Sequence, residues 1–503
     1  MNLRAVAWLL GRLCVLLSAL MLLPAAVSQA HGEADGVRAF LIGAGFAAAT
    51  GIALVWRNRK ASLTVEGRPD FFRREGLAAV GLAWLVSPLL ASVPFVVSGA
   101  IPGGVDAFFE ASSGFTTTGS SVLTADQIDA LPQGIAFWRN FTQWLGGIGI
   151  VLMFVVLFPT GGRSLFRSEA SGIRRDSDTH RVRDTALGVA RIYVGLTVLL
   201  FGLLVLAGVG SFDALLHAFS TVSTGGFSNK GTSVAAFDSA VVEGLLIVFM
   251  MLAGTTFALY EVFVSRGWKI GWRRAAQSSE LRAYLLLAAV ATLVIAGRLW
   301  FWGGSNGAVG SSLPDYSSLG RCLRDGAFTV VSVFTTAGFA TADFDAWPEL
   351  NRAILCLLMV TGACAGSTSG GLKLVRGLIV VKAAVRGLLA FARPRAIHMV
   401  RMDHEPLDDS TVASVTGFFG LWVMCLLGGY AALSAMDVDP VVAFTGSLSA
   451  LSNIGPGLGA IGPAGHWGDL PELGKLLLAL MMILGRLEFY AVAVLVLPRF
   501  WRG

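Results

Sequence analysis

Four glycines, Gly119, Gly226, Gly338 and Gly455, each close one version of a short word in this 503-residue chain. A serine opens every word six positions earlier, at Ser113, Ser220, Ser332 and Ser449. Hydroxyl or amide residues fill the next fixed places, Thr116 and Thr117, Ser223 and Thr224, Thr335 and Thr336, Ser452 and Asn453. Uncharged segments of this kind offer backbone carbonyls that replace a cation's hydration shell, as the filter loops of potassium channels do. The glycine is required because alternate carbonyls face one axis only if a residue adopts a conformation that a β-carbon disfavours. The candidate coordinating set is therefore Thr116, Thr117, Thr118 and Gly119; Ser223, Thr224, Gly225 and Gly226; Thr335, Thr336, Ala337 and Gly338; and Ser452, Asn453, Ile454 and Gly455.

The elements that must position these words follow from spacing. The glycines lie 107, 112 and 117 residues apart, so one unit has been copied four times. Such a unit exceeds the short periods of solenoids and propellers and suggests quarters around an axis. An aspartate stands thirteen residues before the first three glycines, at Asp106, Asp213 and Asp325, and the fourth repeat shifts its own to Asp439. Between aspartate and glycine lies an apolar segment of about ten residues, or ~15 Å of helix. That is half a bilayer, so each segment reads as a re-entrant half-helix with the aspartate as its N-cap. The four C-terminal ends, the negative poles of the helix dipoles, then converge and stabilise a cation. Irregular backbone at membrane depth is tolerated only where it is buried in protein or lines a cavity.

Composition sets the surroundings. With 55% hydrophobic and 14% charged residues and a mean hydropathy of +0.70, the chain cannot be a soluble globule. Stretches long enough to cross a bilayer fall at 5–28, 36–56, 76–100, 137–160, 186–209, 240–264, 281–302, 350–392, 411–434 and 474–498. Four loops, Arg57 to Arg74, Arg163 to Arg183, Arg266 to Arg282 and Lys382 to Arg401, hold 22 of the 38 Lys and Arg. The positive-inside rule makes their side, and both termini, cytoplasmic. The other face carries Asp106, Glu110, Asp126, Asp129, Asp213, Asp325, Asp343, Asp345 and Asp439 among others, an acidic mouth that concentrates cations. Residues 1–30 have the layout of a signal peptide, and we expect them to be retained as the first span.

Other chemistries find less support. The net charge of +6 is accounted for by the inner loops, so nucleic-acid binding is not implied. Five cysteines form no CxxC pair, and six histidines are scattered singly, which argues against a membrane enzyme. His217 reads as a structural histidine, Glu243 and Glu261 as solvated residues near span ends, and Gly146, Gly147 and Gly254 as sites of close helix packing. A secondary transporter with broken helices remains a competing class.

FTTTGSSVL, STGGFS, TTAGFATAD, SNIGPGLGAIG, GACAGSTSGGLK and LGRLEFY together resemble the Trk/Ktr/HKT superfamily of potassium transporters, and within it the Trk-type bacterial membrane subunit. The resemblance implies an all-α polytopic membrane protein. Four outer-helix, pore-loop, inner-helix repeats stand in pseudo-fourfold array around one pore, after an additional N-terminal pair of helices. The corresponding boundaries are 1–75 for the pair and its basic loop, then 76–183, 184–279, 280–409 and 410–503. It also implies potassium as the transported ion, with rubidium as a congener and no organic cofactor. A homodimer in the bacterial inner membrane and a cytoplasmic, TrkA-like nucleotide-binding ring are implied as well. The basic loop with Arg174, Arg175, Arg181 and Arg183 is a candidate contact for that ring. Within the family a serine at the first filter glycine accompanies sodium preference, and this chain has Gly119, so a sodium-permeable or ion-coupled transporter is the alternative reading.

The over-long stretch 350–392 is about twice one crossing and is split by Gly362, Ala363, Cys364, Ala365, Gly366, Ser367, Thr368, Ser369, Gly370 and Gly371. Glycine and serine hold a helix poorly, so we expect the inner helix of repeat three, and of repeat three alone, to break here. GSTSGG lacks the spacing and the preceding strand of a phosphate loop. In the family this segment is the intramembrane gate. Arg486 sits inside the last apolar run, where a charge costs at least ~2.5 kcal/mol and calls for a partner. Carbonyls of the repeat-three loop are the expected acceptors, since Glu488 lies on another face of the helix. Lys373 reads as an inner-face lysine.

Overall fold

The computed structural model describes residues 1–59, 69–157, 179–306 and 316–502, apart from 394, 397, 404, 488, 490–494 and 496–497. The expectations placed on Arg174, Arg175 and Glu488 lie outside these residues. The chain is a helical membrane protein; among the described residues the sole strand pairing joins Arg401–Met402 to Glu405–Pro406.

The N-terminal pair comes first. Leu3–Leu20 continues through Leu22–Ala30 and packs on Ala34–Arg57. Glycines let the two backbones approach at one crossing, where a β-carbon on either Gly11 or Gly51 would strike the other's carbonyl within 2.8 Å. Cys14, Leu17 and Met21 are buried on this seam.

Each repeat then follows one plan. The outer helices are Pro69–Ala91, Thr179–Leu206, Ser279–Asn306 and Asp409–Ser434. The half-helices are Gly104–Phe115, Ser211–Val222, Leu319–Phe334 and Pro440–Ser452, of 12, 12, 16 and 13 residues. Inner helices start at Gln133, Ala240, Glu349 and Glu472. The spans at Leu3–Ala30, Ala34–Arg57, Arg74–Val97, Leu187–Leu206, Ser279–Gly303 and Asp409–Ser434 are each long and apolar enough to cross a bilayer.

Several expectations are corrected. The inner helix of repeat two, read as one span over 240–264, is two helices, Ala240–Ala253 and Phe257–Arg266, bent by 87°. Repeat three is therefore not alone in breaking. The aspartates of the first three repeats are not side-chain caps. Gly103, Gly210 and Ser318 hold the cap positions without side-chain bonds, while Asp106 and Asp213 lie in the first turn and Asp325 lies deeper in its helix. Asp439, the shifted one, does cap, accepting from Val441 N at 2.9 Å and Val442 N at 3.2 Å. The other three pair with cations instead: Asp106 with Lys475, Asp213 with Lys230 at 2.9 Å, and Asp325 with Arg321 at 3.7 Å. Three of the acids assigned to the mouth are thereby paired with cations.

Glu243 is not solvated. It is buried and receives both arms of Arg324, at 2.6 and 2.7 Å, which ties the inner helix of repeat two to the half-helix of repeat three. Lys475 and Asp106 tie repeat four to repeat one in the same manner.

Candidate ion-coordinating site

The four half-helices end alike. The amide five residues beyond the word's opening serine returns to that serine's carbonyl: Thr118 N to Ser113 O at 2.9 Å, Gly225 N to Ser220 O at 2.8 Å, Ala337 N to Ser332 O at 2.8 Å and Ile454 N to Ser449 O at 3.1 Å. The amide one residue earlier closes on the next carbonyl, Gly114, Thr221, Val333 and Ala450. These paired bonds are the Schellman motif, whose turn residue is left-handed and usually glycine. Here it is Thr117, Thr224, Thr336 and Asn453, with φ of 53, 54, 58 and 54°. A β-branched residue in that region is an outlier costing about 1–3 kcal/mol. It recurs in three repeats because the surrounding bonds impose it.

Two residues further on, Gly119, Gly226, Gly338 and Gly455 are left-handed as well, at 84, 77, 80 and 109°. Left-handed residues thus alternate along each strand. A β-carbon on Gly119 would fall on the carbonyl oxygen of Gly225, one on Gly226 on that of Ala337, and one on Gly338 on that of Ile454; on Gly455 it would lie 2.9 Å from Thr118 O. Each glycine therefore faces the carbonyl preceding the next repeat's glycine, and the order one, two, three, four closes on itself. The sixteen predicted residues come together as four strands in a ring.

Side chains of the ring divide into two groups. The hydroxyls of Thr116, Ser223 and Thr335 donate back into their own half-helices, to Ser112 O at 2.6 Å, Ser220 O at 3.2 Å and Val331 O at 2.7 Å. Thr117 Oγ1 and Ser452 Oγ are buried and lack a hydrogen-bond partner among the described residues. The fourth strand departs from the other three. Gly455 O accepts from Ser120 Oγ at 2.9 Å and Ser449 Oγ at 3.0 Å, so both lone pairs of this carbonyl are taken up by the protein. Asn453 Nδ2 bonds Thr118 Oγ1 at 3.0 Å and Met482 O at 2.8 Å, joining repeat four to repeat one.

Against the ends of these strands lies the broken inner helix of repeat three. Glu349–Thr361 stops at Gly362, whose φ is 64°, and Leu374–Ala392 resumes after Lys373, at 69°. The intervening Gly362, Ala363, Cys364, Ala365, Gly366, Ser367, Thr368, Ser369, Gly370 and Gly371 form a loop held from every repeat but the first. Gly370 N donates to Thr336 Oγ1 at 2.8 Å, Thr368 Oγ1 donates to Val222 O at 3.1 Å, and a β-carbon on Gly370 would lie 2.7 Å from Asn453 Cβ. Ala365 N reaches the Glu280 carboxylate at 2.7 Å.

This loop also explains the break in repeat two. A helix end leaves four carbonyls without intrahelical partners. Met251 O receives Thr255 Oγ1 at 3.0 Å, and Leu252 O receives Tyr260 Oη at 2.7 Å. Ala253 O receives Thr368 N at 3.4 Å, and Gly254 O receives Cys364 N at 3.1 Å. Thr256 Oγ1 and Phe257 N then donate to Ala365 O and Gly366 O, at 2.8 and 3.0 Å. The two breaks satisfy each other's backbone.

Arg486 is buried at the end of Glu472–Arg486. Its Nη1 donates to Thr368 O at 2.6 Å and its Nη2 to Gly146 O of repeat one at 3.4 Å, the second being a partner that sequence reasoning missed. Lys373, expected at the inner face, is buried and donates to Ser369 O. His217 is a bonded structural residue, with Nδ1 against Asp213 O at 2.8 Å and Nε2 against Ser228 Oγ at 3.0 Å. Gly146 and Gly147 allow the inner helix of repeat one to close on Phe115 O and Ser223, and Gly254 fits against Tyr284 and Thr335.

Comparison with known proteins places this geometry. Residues 45–502 match a family model described as TrkH, cation transport protein. The chain is 36% identical over 513 residues to the Trk system potassium uptake protein TrkH of Halomonas elongata, and 34% identical over 508 residues to that of Escherichia coli K12, with each pair covered in full. A second Halomonas elongata protein, the Trk system potassium uptake protein TrkI, is 34% identical over 84% of this chain and 82% of its own length. The crystal structure of the potassium transporter TrkH from Vibrio parahaemolyticus superposes with a TM-score of 0.87 at 31% identity, covering 100% of both chains.

Proposed function

The chain belongs to the TrkH family of cation transport proteins, and on that premise we propose that it takes up potassium through the ring of four glycine strands, under control of the repeat-three loop. The observation that carries the proposal is the closed contact order of the four glycines on the four neighbouring carbonyls. Carbonyl oxygens from four strands, with the negative poles of four half-helices behind them, replace the hydration shell of a monovalent cation at little cost in reorganisation. Thr117 Oγ1 and Ser452 Oγ, buried without hydrogen-bond partners among the described residues, are oxygens an ion would satisfy. Gly119 in the first strand favours potassium over sodium, and rubidium is accepted with it.

The loop Gly362 to Gly371 and Arg486 form the barrier in this reading. Bonds to Thr336, Val222 and Ala253 support this role by holding the loop backbone closed, and Arg486, bridging to Gly146, would set a fixed positive charge in the ion's path. The four quarters are 76–183, 184–279, 280–409 and 410–503. The protein resides in the bacterial inner membrane with both termini cytoplasmic. It acts as a homodimer, with a nucleotide-binding ring docked on the basic inner loops.

The test is cation flux in a host deficient in potassium uptake. Growth rescue and rubidium uptake that sodium does not compete away support the reading. Rescue absent despite membrane insertion, or uptake in which sodium is preferred, overturns it.

A further inference from the structure

Behind the second strand runs a row of three buried polar side chains from the inner helix of repeat one: Arg139, Asn140 and Gln143, with 1, 0 and 0% exposure. Their bonds fall on one stretch of backbone. Gln143 Nε2 donates to Gly225 O at 2.5 Å, and Phe227 N donates to Gln143 Oε1 at 3.1 Å. Asn140 Nδ2 donates to Phe227 O and to Ser220 Oγ, both at 2.8 Å. Arg139 Nη1 donates to Ser228 O at 3.1 Å, its guanidinium lies 4.2 Å from the centre of the Phe227 ring, and its charge is met by Glu110 at 2.8 Å. The orientation of the Gln143 amide follows from its partners, since a carbonyl needs the NH2 and an N–H needs the oxygen.

The other repeats have no such row. Three residues before the inner-helix glycines Gly146, Gly254, Gly362 and Gly485 stand Gln143, Met251, Met359 and Met482. Only the first can donate to and accept from a strand. The second strand is thus clamped on both sides of Gly226.

We propose that Gln143 is a positioning residue that sets ion specificity: it fixes the direction of the Gly225 carbonyl and takes part of its hydrogen-bonding capacity. Among the ring carbonyls of Thr118, Gly225, Ala337 and Ile454, this one then presents a weaker field to a dehydrated ion. Discrimination between cations depends on the number and field strength of such dipoles. The inference rests on the proposed role of the glycine strands.

Two full-length variants test it. Gln143→Met installs the residue of the other repeats at similar volume. Gln143→Glu keeps an acceptor for Phe227 N and removes the donor to Gly225 O. Bi-ionic reversal potentials of the purified proteins in planar bilayers, potassium against sodium, are compared with those of Gly119→Ser. Both Gln143 variants are expected to change the permeability ratio by at least about fivefold, as loss of one such bond allows. Ratios within about twofold of the unaltered protein in both, with Gly119→Ser shifted, sink the Gln143 assignment and leave the strands as the filter. No shift in any of the three removes the filter reading and this inference together. A shift in Gln143→Met alone assigns the effect to Phe227 N and also overturns it. If Gln143→Met does not fold, Gln143→Glu decides.

Discussion

Arg486 offers the sharpest perturbation of the barrier. Replacing it with methionine keeps an unbranched side chain of comparable reach and removes the guanidinium that holds Thr368 O at 2.6 Å. A hydrogen bond to a charged group contributes about 1.5–3 kcal/mol, and the 3.4 Å contact with Gly146 O adds little. At about 1.4 kcal/mol per tenfold, the balance between closed and displaced loop shifts by roughly 10- to 150-fold toward displacement. In the proposed function the fixed positive charge leaves the ion's path as well, so both effects act in the same direction. The assay is rubidium uptake into proteoliposomes driven by a potassium gradient, normalised to reconstituted protein. We expect a rise of at least about tenfold, and an intermediate rise for Arg486→Lys, which keeps the charge but not the fork. Uptake of the methionine variant within about twofold of the unaltered protein, at equal reconstitution, would refute the assigned role of Arg486.

Deleting Gly366 to Gly370 removes the loop's bonds to Phe257 N, Val222 O and Thr336 Oγ1. It should raise ion flux in the same assay, and unchanged conductance from an intact protein counts against a gate. Arg324→Ala strands the buried Glu243 without its bidentate partner. Since Arg324 is itself 34% exposed, the loss falls below the 3–5 kcal/mol of a fully buried pair, at about 2 kcal/mol. Thermal unfolding in detergent should report it as a clear fall in midpoint, and Glu243→Gln should lose less.

The parts of the site that announced themselves in the sequence are those where residue type is forced by backbone. Gly119, Gly226, Gly338 and Gly455 recur because a β-carbon at those points meets a neighbouring carbonyl, and the Gly362 to Gly371 run broke its helix as its composition implied. What escaped were positions where tertiary bonds override residue preference. Thr117, Thr224 and Thr336 adopt left-handed backbone that their side chains disfavour, held by the Schellman bonds, so no glycine marked them. The bend at Gly254 to Thr256 lies in an apolar run, and two of its carbonyls, Ala253 O and Gly254 O, are satisfied by a loop more than a hundred residues away in sequence. Asp106 and Asp213 looked like caps because caps and first-turn ion pairs draw on the same residue, and Asp325 because its half-helix begins two turns earlier than the spacing implied. Arg139, Asn140 and Gln143 did leave a signal, since with Thr142 they put four polar residues within five positions of a largely apolar span.

The proposed function requires the four glycine strands to act as one potassium-selective ring. The most direct measurement is the bi-ionic reversal potential of the purified protein, potassium on one side and sodium on the other, before and after Gly119→Ser. We expect strong potassium selectivity for the unaltered protein and a reversal potential moved toward zero by the serine, whose β-carbon would displace Gly225 O. A potential near zero for the unaltered protein, or one that Gly119→Ser leaves where it was, would contradict it.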